Sequence, residues 1–469
     1  MTSVADRAGE TTTADSGSQL AADTVARLRA VFKTGRTQPL AWRKRQLEGI
    51  IRLVTERESE LAEALASDLG RTPHETWFGD VASTVGEAEY ALKHLRKWMK
   101  PTRTGVPLAL MPGKAAYRYE PLGTVLVIGP WNYPFYLTLG PLIGAVAAGN
   151  CCVVKPSEHA PAASAVLARL IPEYLDPEAI AVLEGDARIT QQIIDQKLDL
   201  VFFTGGTEIG RKIAEACAPH LTPVVLELGG KSPVIVTKNA DLGVAARRIA
   251  FGKLLNSGQT CVAPDYLLVE KSVREEFAAE LKKTIAEFRA GAPEKQRIVN
   301  DRQFQRLSGL LEGQNAAIGG GTDAGEIAME PTVLVNPDRT APVMQGEIFG
   351  PILPIIDVDS LDHAISIINE GEKPLAAYIF TKSNAEIERL FAEVPCGGAV
   401  SNHIAMQVLA PQLPFGGVGY SGMGAYHGKW GYEAFSHRKA TLKMPIKPDL
   451  KLMYPPYSER DKKILRKLA

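Results

Sequence analysis

The chain has 469 residues, of which 45% are hydrophobic and 23% are charged, so it contains enough apolar material for two or three domains. Its 53 basic and 53 acidic residues leave no net charge, which disfavours nucleic acid as a partner and favours a small ligand. Five cysteines without a CxxC pair disfavour both a disulfide framework and a metal site and indicate a reducing compartment such as the cytoplasm, and no apolar run is long enough for a membrane anchor.

The N-terminal third contains predicted helices and a predicted hairpin. Residues 1–20 mix charged residues with Thr and Ser, which predicts a disordered tail, and residues 21–99 have the period of amphipathic helices. Residues 100–120 break that period with prolines and a Pro-Gly turn between two short extended runs, which predicts a hairpin. Because exposed hairpin edges invite pairing with another chain, this hairpin and the basic tail at 438–469, in which we expect two short extended runs, form the candidate oligomerisation arm.

From residue 121 onward the sequence alternates apolar strands with helices, which predicts βαβ units and a parallel sheet. One strand enters a glycine turn that contains Gly205 and Thr207 and continues through Gly210 into a helix. The turn resembles a dinucleotide-binding turn, although its spacing is not G-x-G-x-x-G and such glycines also serve packing. After residue 229 the alternation predicts a second α/β unit, whereas residues 291–340 predict a loop-rich connection with one short strand.

Cys261 is a candidate nucleophile. It lies in FGKLLNSGQTCVAPD (251–265), where Gly258 permits an irregular backbone and no apolar residue directly precedes the sulfur, so we expect the thiol to be presented to a ligand. The alternative is a buried structural cysteine.

Glu227 is a candidate base. It stands 34 residues before the cysteine, at the end of an apolar strand. A carboxylate in such a strand has either a high energetic cost or a raised pKa that suits it to proton transfer. The alternative is a structural carboxylate bonded to a loop backbone.

Seven motifs occur along the chain from about residue 40 to the C-terminus: GPWNYP (129–134), VVKPSE (153–158), FTGGTEIG (203–210), LELGGKSP (226–233), GQTCVAPD (258–265), EIFGP (347–351) and PFGGVGYSGMG (414–424). In order and approximate spacing they resemble the NAD(P)-dependent aldehyde dehydrogenase superfamily. Asn-Tyr-Pro at 132–134, GAYHGKWGYEAFSHRK at 424–439 and YPPY at 454–457 resemble its class-3 branch. Some members of that branch end in a membrane anchor, whereas the short charged run at the end of this sequence favours the soluble kind.

The resemblance implies an α/β fold with three parts. These are a Rossmann-type cofactor-binding domain (21–99 and 121–228), a catalytic α/β domain (229–437) and the β-hairpin oligomerisation arm (100–120 and 438–469). It also implies oxidation of an aldehyde to the carboxylic acid through a thiohemiacetal and a thioester on Cys261. The side-chain amide of Asn132 and the backbone N–H of Cys261 would stabilise the oxyanion, and Glu227 would activate the hydrolytic water.

The resemblance further implies NAD as the cofactor, with NADP also acceptable. Lys155 and Glu158 would contact the adenosine ribose, although on their own they are also typical of a helix entry. Thr207 would pack near the pyrophosphate and Glu347 would hold the nicotinamide ribose. The expected cofactor set is completed by Trp131, Gly205, Gly210, Leu228 and Phe349.

Two alternatives differ in activity. One is acyl transfer to coenzyme A or phosphate, which related folds perform without a hydrolytic glutamate; the other is a non-catalytic oligomer that has kept the fold. The joint presence of Cys261, Glu227 and Asn132 favours the hydrolytic dehydrogenase.

Lys231 matches a family position for which we predict a structural role. The expected assembly is a homodimer, with a tetramer as the alternative.

Overall fold

Helices dominate the N-terminal part of the computed structural model, which describes residues 4–293 and 295–468. They are α1 (Val4–Lys33), α2 (Leu40–Glu56), α3 (Glu58–Leu69), α4 (Pro73–Thr76) and α5 (Ala82–Trp98). A π-helical turn at Trp77–Val81 joins α4 to α5.

Helix α1 differs from the disordered tail that the sequence predicts for residues 1–20. Residues 1–3 lie outside the described residues, but the chain is helical from Val4. Ala21, Val25 and Leu28 of the same helix are buried. Once such packing has formed a helical nucleus, each further residue gains one backbone hydrogen bond, so the polar segment extends the helix at low cost.

The hairpin predicted for residues 100–120 is confirmed. Strand β1 (Thr102–Thr104) pairs antiparallel with β2 (Lys114–Pro121), and a short 3₁₀ turn at Leu108–Leu110 lies between them. The three side chains of β1 are exposed.

A six-stranded sheet follows, and its strands from this part of the chain are parallel, as predicted. The strands are β3 (Thr124–Ile128), β4 (Cys151–Lys155), β5 (Ile180–Val182), β6 (Leu200–Thr204) and β7 (Val224–Glu227). The helices between them are α6 (Tyr136–Ala148), α7 (Pro161–Tyr174), α8 (Ala187–Ile194) and α9 (Thr207–Cys217). Strands β3, β4 and β6 are buried along their whole length, which explains their continuous apolar sequences.

A seven-stranded sheet in the order β11-β14-β15-β9-β8-β16-β17 forms the second α/β unit, and only β11 runs antiparallel to its neighbour. The elements from residue 233 to 318 are β8 (Pro233–Val236), α10 (Leu242–Leu254), β9 (Tyr266–Glu270), α11 (Arg274–Phe288), β10 (Gln296–Arg297), α12 (Asp301–Leu311) and β11 (Ala316–Ile318). Those that follow are β12 (Thr322–Asp323), β13 (Ala328–Met329), β14 (Thr332–Val335), α13 (Pro342–Gln345), β15 (Ile352–Val358), α14 (Leu361–Glu370), β16 (Ala376–Phe380), α15 (Asn384–Glu393) and β17 (Gly398–Ser401).

Residues 291–340 contain more regular structure than the loop-rich connection that the sequence predicts. Asn300 caps α12 by accepting a hydrogen bond from the Gln303 N–H at 3.0 Å, and Phe304 and Leu307 bury the apolar face of this helix. Strands β10, β13 and β12 form a small antiparallel sheet in that order. The prediction was wrong because these strands have only two residues each, too few to show a period.

The C-terminal segment returns to the earlier parts of the fold. Strand β18 (Gly422–Met423) pairs antiparallel with β7, α16 (Gly428–Ala434) packs on α6, and β19 (Ser436–Lys443) pairs with β2 along its length. Of the two short extended runs that the sequence predicts for the tail, β19 is the one strand among the tail's described residues, and the tail ends in α17 (Glu459–Leu468). None of the helices in the described residues combines the length and the apolar character needed to cross a membrane.

The topology gathers the predicted site residues at one edge of the six-stranded sheet. The carboxyl ends of β3, β4, β6 and β7 lead to the segments that carry Asn132, Lys155, Gly205 and Glu227. Ligands bind at this edge in open α/β sheets.

Candidate active site

The loop that carries Cys261 has an unusual backbone. Asn256, Ser257 and Gly258 follow α10 in the left-handed region, with φ values of 51°, 58° and 69°. A Cβ atom at Gly258 would collide with the carbonyl oxygen of Gly350, so only glycine fits there. Gln259 is fully buried, whereas Cys261 keeps part of its surface accessible. The residue is therefore partly accessible, which is compatible with the nucleophile predicted from the sequence.

The pKa of the Cys261 thiol lies above the usual range of a cysteine, which favours its protonated form. Burial raises its pKa to about 12, and the nearby carboxyl groups of Glu347 and Glu227 contribute to the rise. The backbone N–H groups of Cys261 and Val262 act in the opposite direction. A proton must therefore leave the sulfur before or during nucleophilic attack.

Asn132 is buried in the turn after β3 and contacts the cysteine loop. Its side-chain Nδ2 donates a hydrogen bond to the carbonyl oxygen of Gln259 at 3.1 Å. Gln259 stands two residues before Cys261, so the amide and the thiol belong to one connected site. An asparagine amide has two N–H donors, and this contact uses one of them.

Glu227 is the last residue of β7 and is 3% exposed. Neither of its carboxylate oxygens has a hydrogen-bond partner among the described residues. Burial raises its pKa well above the ordinary value, as expected for a carboxyl group without a compensating donor. The alternative of a structural carboxylate bonded to a loop backbone is not what the structure contains.

Glu347 and Phe349 lie across from the first sheet. The Glu347 carboxylate occupies the space that a side chain at Gly229 would need, and burial followed by repulsion from Asp265 raises its pKa to about 8. The Phe349 backbone has a φ of 49°, and its ring packs edge-on against Trp131 with centroids 5.3 Å apart. A left-handed aromatic residue is strained, and such strain is typical of ligand sites.

Lys231 holds the segment before Glu347 in place. Its Nζ donates to the carbonyl oxygens of Val343 at 3.1 Å and Gly346 at 3.0 Å, and it pairs with Asp265. These contacts support the structural role predicted for this lysine.

Lys155 and Glu158 form an ion pair at the end of β4. The distance between Nζ and Oε2 is 2.6 Å, with the lysine side chain 4% and the glutamate side chain 36% exposed. Burial acts to raise the pKa of Glu158, but the hydrogen bond and charge of Lys155, a backbone hydrogen bond and the charge of His159 together outweigh it, and the net pKa is lowered. A partly exposed, ionised carboxylate is therefore available at this edge of the sheet.

The glycine turn before α9 combines packing with an open helix end. Gly205 and Gly210 are required by close contacts with the side chains of Phe203 and Leu228. Gly206, in contrast, has open space where a Cβ would stand, and it precedes α9 without a side-chain cap. The Thr207 hydroxyl donates to the carbonyl oxygen of Tyr420 at 3.2 Å. The N-terminus of α9 can therefore receive an anion through its backbone N–H groups.

Sequence reasoning missed four buried polar residues that connect the two halves of the site. They are Arg71, Asp80, Asn256 and Gln259. Asn256 and Gln259 lie inside the GQTCVAPD region or next to it, and the Asn-Ser-Gly turn was a usable signal. Arg71 and Asp80 have no local signal, because their partners are distant in sequence.

Comparison with known proteins identifies close relatives. Residues 5–441 match the model of the aldehyde dehydrogenase family. Aldehyde dehydrogenase family 3 member A2 of Mus musculus is 45% identical over 441 residues, which cover 93% of this chain and 91% of that protein. The dimeric NADP-preferring aldehyde dehydrogenase of Rattus norvegicus is 45% identical over 425 residues, covering 90% and 94%. The substrate-bound structure of Staphylococcus aureus AldH superposes with a TM-score of 0.92 at 41% identity and covers 95% of this chain and 99% of its own.

Proposed function

The chain belongs to the aldehyde dehydrogenase family, and we propose that it oxidises its aldehyde through a thioester on Cys261 that water activated by Glu227 hydrolyses. As a member of this family it is an NAD(P)-dependent oxidoreductase that acts on aldehydes. The observation that carries the proposed mechanism is the buried Glu227 carboxyl group, which has no hydrogen-bond partner in the part of the chain that the structure describes and which interacts electrostatically with the Cys261 thiol.

The first stage is formation of the thioester. Attack of the Cys261 sulfur on the aldehyde carbon gives a thiohemiacetal with a negatively charged oxygen. The second N–H of the Asn132 amide and the backbone N–H of Cys261 stabilise this charge. Because connected buried loops already hold both donors in place, the protein needs little rearrangement when the charge forms. Bound NAD(P)+ supplies the hydride acceptor, and the thioester remains on the sulfur.

The second stage is hydrolysis. Glu227 takes a proton from water as the water oxygen adds to the thioester carbonyl carbon. The tetrahedral adduct then breaks its carbon–sulfur bond, which releases the carboxylic acid and leaves the Cys261 sulfur as a thiolate. The raised pKa of Glu227 makes it a stronger base than an exposed glutamate, and the absence of a competing hydrogen bond leaves both oxygens available. Acyl transfer to coenzyme A or phosphate would not need this carboxyl group.

The cofactor site fits a dinucleotide. The uncapped N-terminus of α9 and the open space at Gly206 suit a pyrophosphate, and the Lys155–Glu158 pair suits a ribose with free hydroxyl groups. We propose that NAD+ is accepted and that NADP+ is accepted less well. The ionised Glu158 accepts a hydrogen bond from a 2′-hydroxyl but repels a 2′-phosphate, whereas Lys155 attracts one.

We also propose a cytoplasmic homodimer. The arm formed by β1, β2 and β19 has two free strand edges, and exposed apolar residues follow it at Met444, Ile446 and Tyr454. The Rattus norvegicus relative is named as dimeric, which agrees with this proposal. The five free cysteines support a reducing compartment.

The test of the mechanism is Glu227→Gln, which keeps the size of the side chain but cannot take a proton from water. The thioester is expected to form and persist, so rapid mixing with aldehyde and NAD+ gives a burst of NADH near one per active site. A steady rate lower by about 10²–10⁴-fold follows, which is the usual contribution of a general base. Mass spectrometry is expected to find the acyl group on the peptide that contains Cys261.

Two results contradict this assignment in different ways. Absence of both burst and adduct means that Glu227 is needed earlier, for example to remove the thiol proton. Wild-type steady-state turnover in Glu227→Gln means that another group activates the water. Exposed Glu215, near the C-terminal end of α9, provides a matched Glu→Gln control that is expected to keep wild-type kinetics.

A further inference from the structure

Arg71 is a buried arginine that contacts both loops of the active site. It is 4% exposed and lies between α3 and α4. Its Nε donates to the side-chain oxygen of Asn256 at 2.9 Å, and its Nη2 donates to the backbone carbonyl oxygen of Asn132. Its guanidinium lies 4.0 Å from the centroid of the Tyr133 ring. One side chain therefore joins the turn after β3 to the loop before Cys261.

Asn256 extends this connection to the cysteine loop. Its Nδ2 donates to the carbonyl oxygens of both Asn132 and Gln259, each at 3.0 Å. The Gln259 oxygen is the same atom that accepts the Asn132 amide at 3.1 Å. Arg71 thus fixes the orientation of Asn256, and Asn256 fixes the separation of the two backbone segments that carry Asn132 and Cys261.

Asp80 completes the arrangement from the other side. Its Oδ2 pairs with Arg71 Nη1 at 2.6 Å, and its Oδ1 accepts the backbone N–H groups of Phe135 at 3.1 Å and Tyr136 at 2.9 Å. The same carboxylate therefore holds the arginine and the segment that directly follows Asn132. Both side chains of the pair are almost fully inaccessible, at 2% and 0% exposure.

The contacts of Arg71 also stabilise a strained backbone. Asn256 and Ser257 have φ values of 51° and 58°, in the left-handed region that is unfavourable for residues other than glycine. Such backbone conformations persist only where several surrounding contacts hold the residue in place. A lysine could keep the charge opposite Asp80, but it lacks the planar fork that reaches three acceptors at once.

We propose that Arg71, paired with Asp80, is a positioning residue that sets the distance between the Asn132 side-chain amide and the backbone N–H of Cys261. This inference rests on the proposed function, in which these two groups stabilise the oxyanion. Arg71 itself does not touch the substrate. Its loss separates the two donors and slows formation of the thioester.

The test is single-turnover hydride transfer in Arg71→Met, which keeps the apolar stem and removes all donors. The acylation rate constant is expected to fall by about 10²-fold, comparable to the loss of one oxyanion donor, while the Kd for NAD+ stays unchanged. Arg71→Lys is expected to show a smaller loss. Arg43→Met is the matched control, because Arg43 is equally buried but donates to the carbonyl oxygens of Gln38 and Ala147, away from this site. It is expected to lower Tm without slowing acylation.

A double-mutant cycle with Asn132→Ala separates this inference from the proposed function. If Arg71 acts through Asn132, the double variant acylates no more slowly than Asn132→Ala alone. Multiplied losses, or wild-type acylation in Arg71→Met, overturn the positioning role only. Wild-type acylation in Asn132→Ala refutes the oxyanion role and this inference together. If Arg71→Met does not fold, the same cycle is measured on Arg71→Met/Asp80→Leu, which leaves no unpaired buried charge.

Discussion

Replacing Glu87 by glutamine removes a buried ionisable group from the middle of α5. The Glu87 side chain accepts a hydrogen bond from the backbone N–H of Gly428, at the start of α16. Burial raises its pKa from 4.5 to about 7, and this single hydrogen bond only partly opposes the rise. The folded protein therefore holds the proton over a pH range in which the unfolded chain has already released it.

The sign of the effect follows from that proton. Below about pH 4.5 Glu87 is protonated in both the folded and the unfolded protein, so its burial does not lower the free energy of unfolding. Between pH 4.5 and 7 Glu87 ionises first in the unfolded protein, and the free energy of unfolding falls as pH rises. Above pH 7 the loss is complete at roughly 3 kcal/mol, because one pKa unit corresponds to about 1.4 kcal/mol. With a typical unfolding entropy per residue, a chain of 469 residues changes its Tm by about 1 °C per kcal/mol, so the effect is about 3 °C.

The assay is a series of thermal melts between pH 5 and pH 8.5 for wild type, Glu87→Gln and the exposed control Glu89→Gln on the same helix. The Tm of Glu87→Gln relative to wild type is expected to rise by about 3 °C from the acidic to the alkaline end. Any constant cost of burying the amide cancels in this comparison. The reasoning is refuted if the difference does not change with pH, or if Glu89→Gln shows the same change.

Three further outcomes are expected. Cys261→Ser is expected to lower turnover by at least about 10³-fold while cofactor binding persists, since a serine hydroxyl is far less nucleophilic than a thiolate. The control Cys396→Ser is expected to keep turnover. Loss of activity without unfolding in Cys396→Ser would reassign the nucleophile. Glu158→Gln is expected to raise the kcat/KM for NADP+ relative to NAD+ several-fold by removing a charge that repels the 2′-phosphate; an unchanged ratio shows that this carboxylate is not near the ribose. Truncation after Arg438 removes most of β19 and the tail and is expected to give a monomer in light scattering, whereas an intact dimer would exclude the arm as the interface.

Local patterns predicted a large part of the fold. The alternation of apolar strands and helices predicted the parallel sheets, because fully buried strands such as β3 and β6 need continuous apolar sequence. Glu227 could be identified as unusual from its sequence context alone. A carboxyl group at the end of an apolar strand needs either a hydrogen-bond or ion partner or a raised pKa that suits it to proton transfer. Within residues 4–293 and 295–468 the structure gives the Glu227 carboxyl group no hydrogen-bond partner.

The remaining features depend on contacts that no local pattern encodes. Arg71 reaches Asn256, which lies 185 positions away in sequence, and nothing in the sequence around Arg71 indicates this contact. The left-handed backbone of Phe349 likewise results from tertiary packing, since propensity disfavours it. Strand β18 has only two residues, one of which is glycine, so its pairing with β7 could not be inferred from period or composition.

The pairing of β18 with β7 also bears on how the protein folds during synthesis. Gly422 lies opposite Glu227, so the strand that ends in the proposed base acquires its outer neighbour only when nearly the whole chain has left the ribosome. Until then β7 is the edge of the first sheet, with unpaired backbone groups and an incompletely enclosed carboxyl group. The first sheet is therefore complete only after residues 422–423 have been made, so the backbone enclosure of the Glu227 end of β7 depends on a segment almost 200 residues further along the chain.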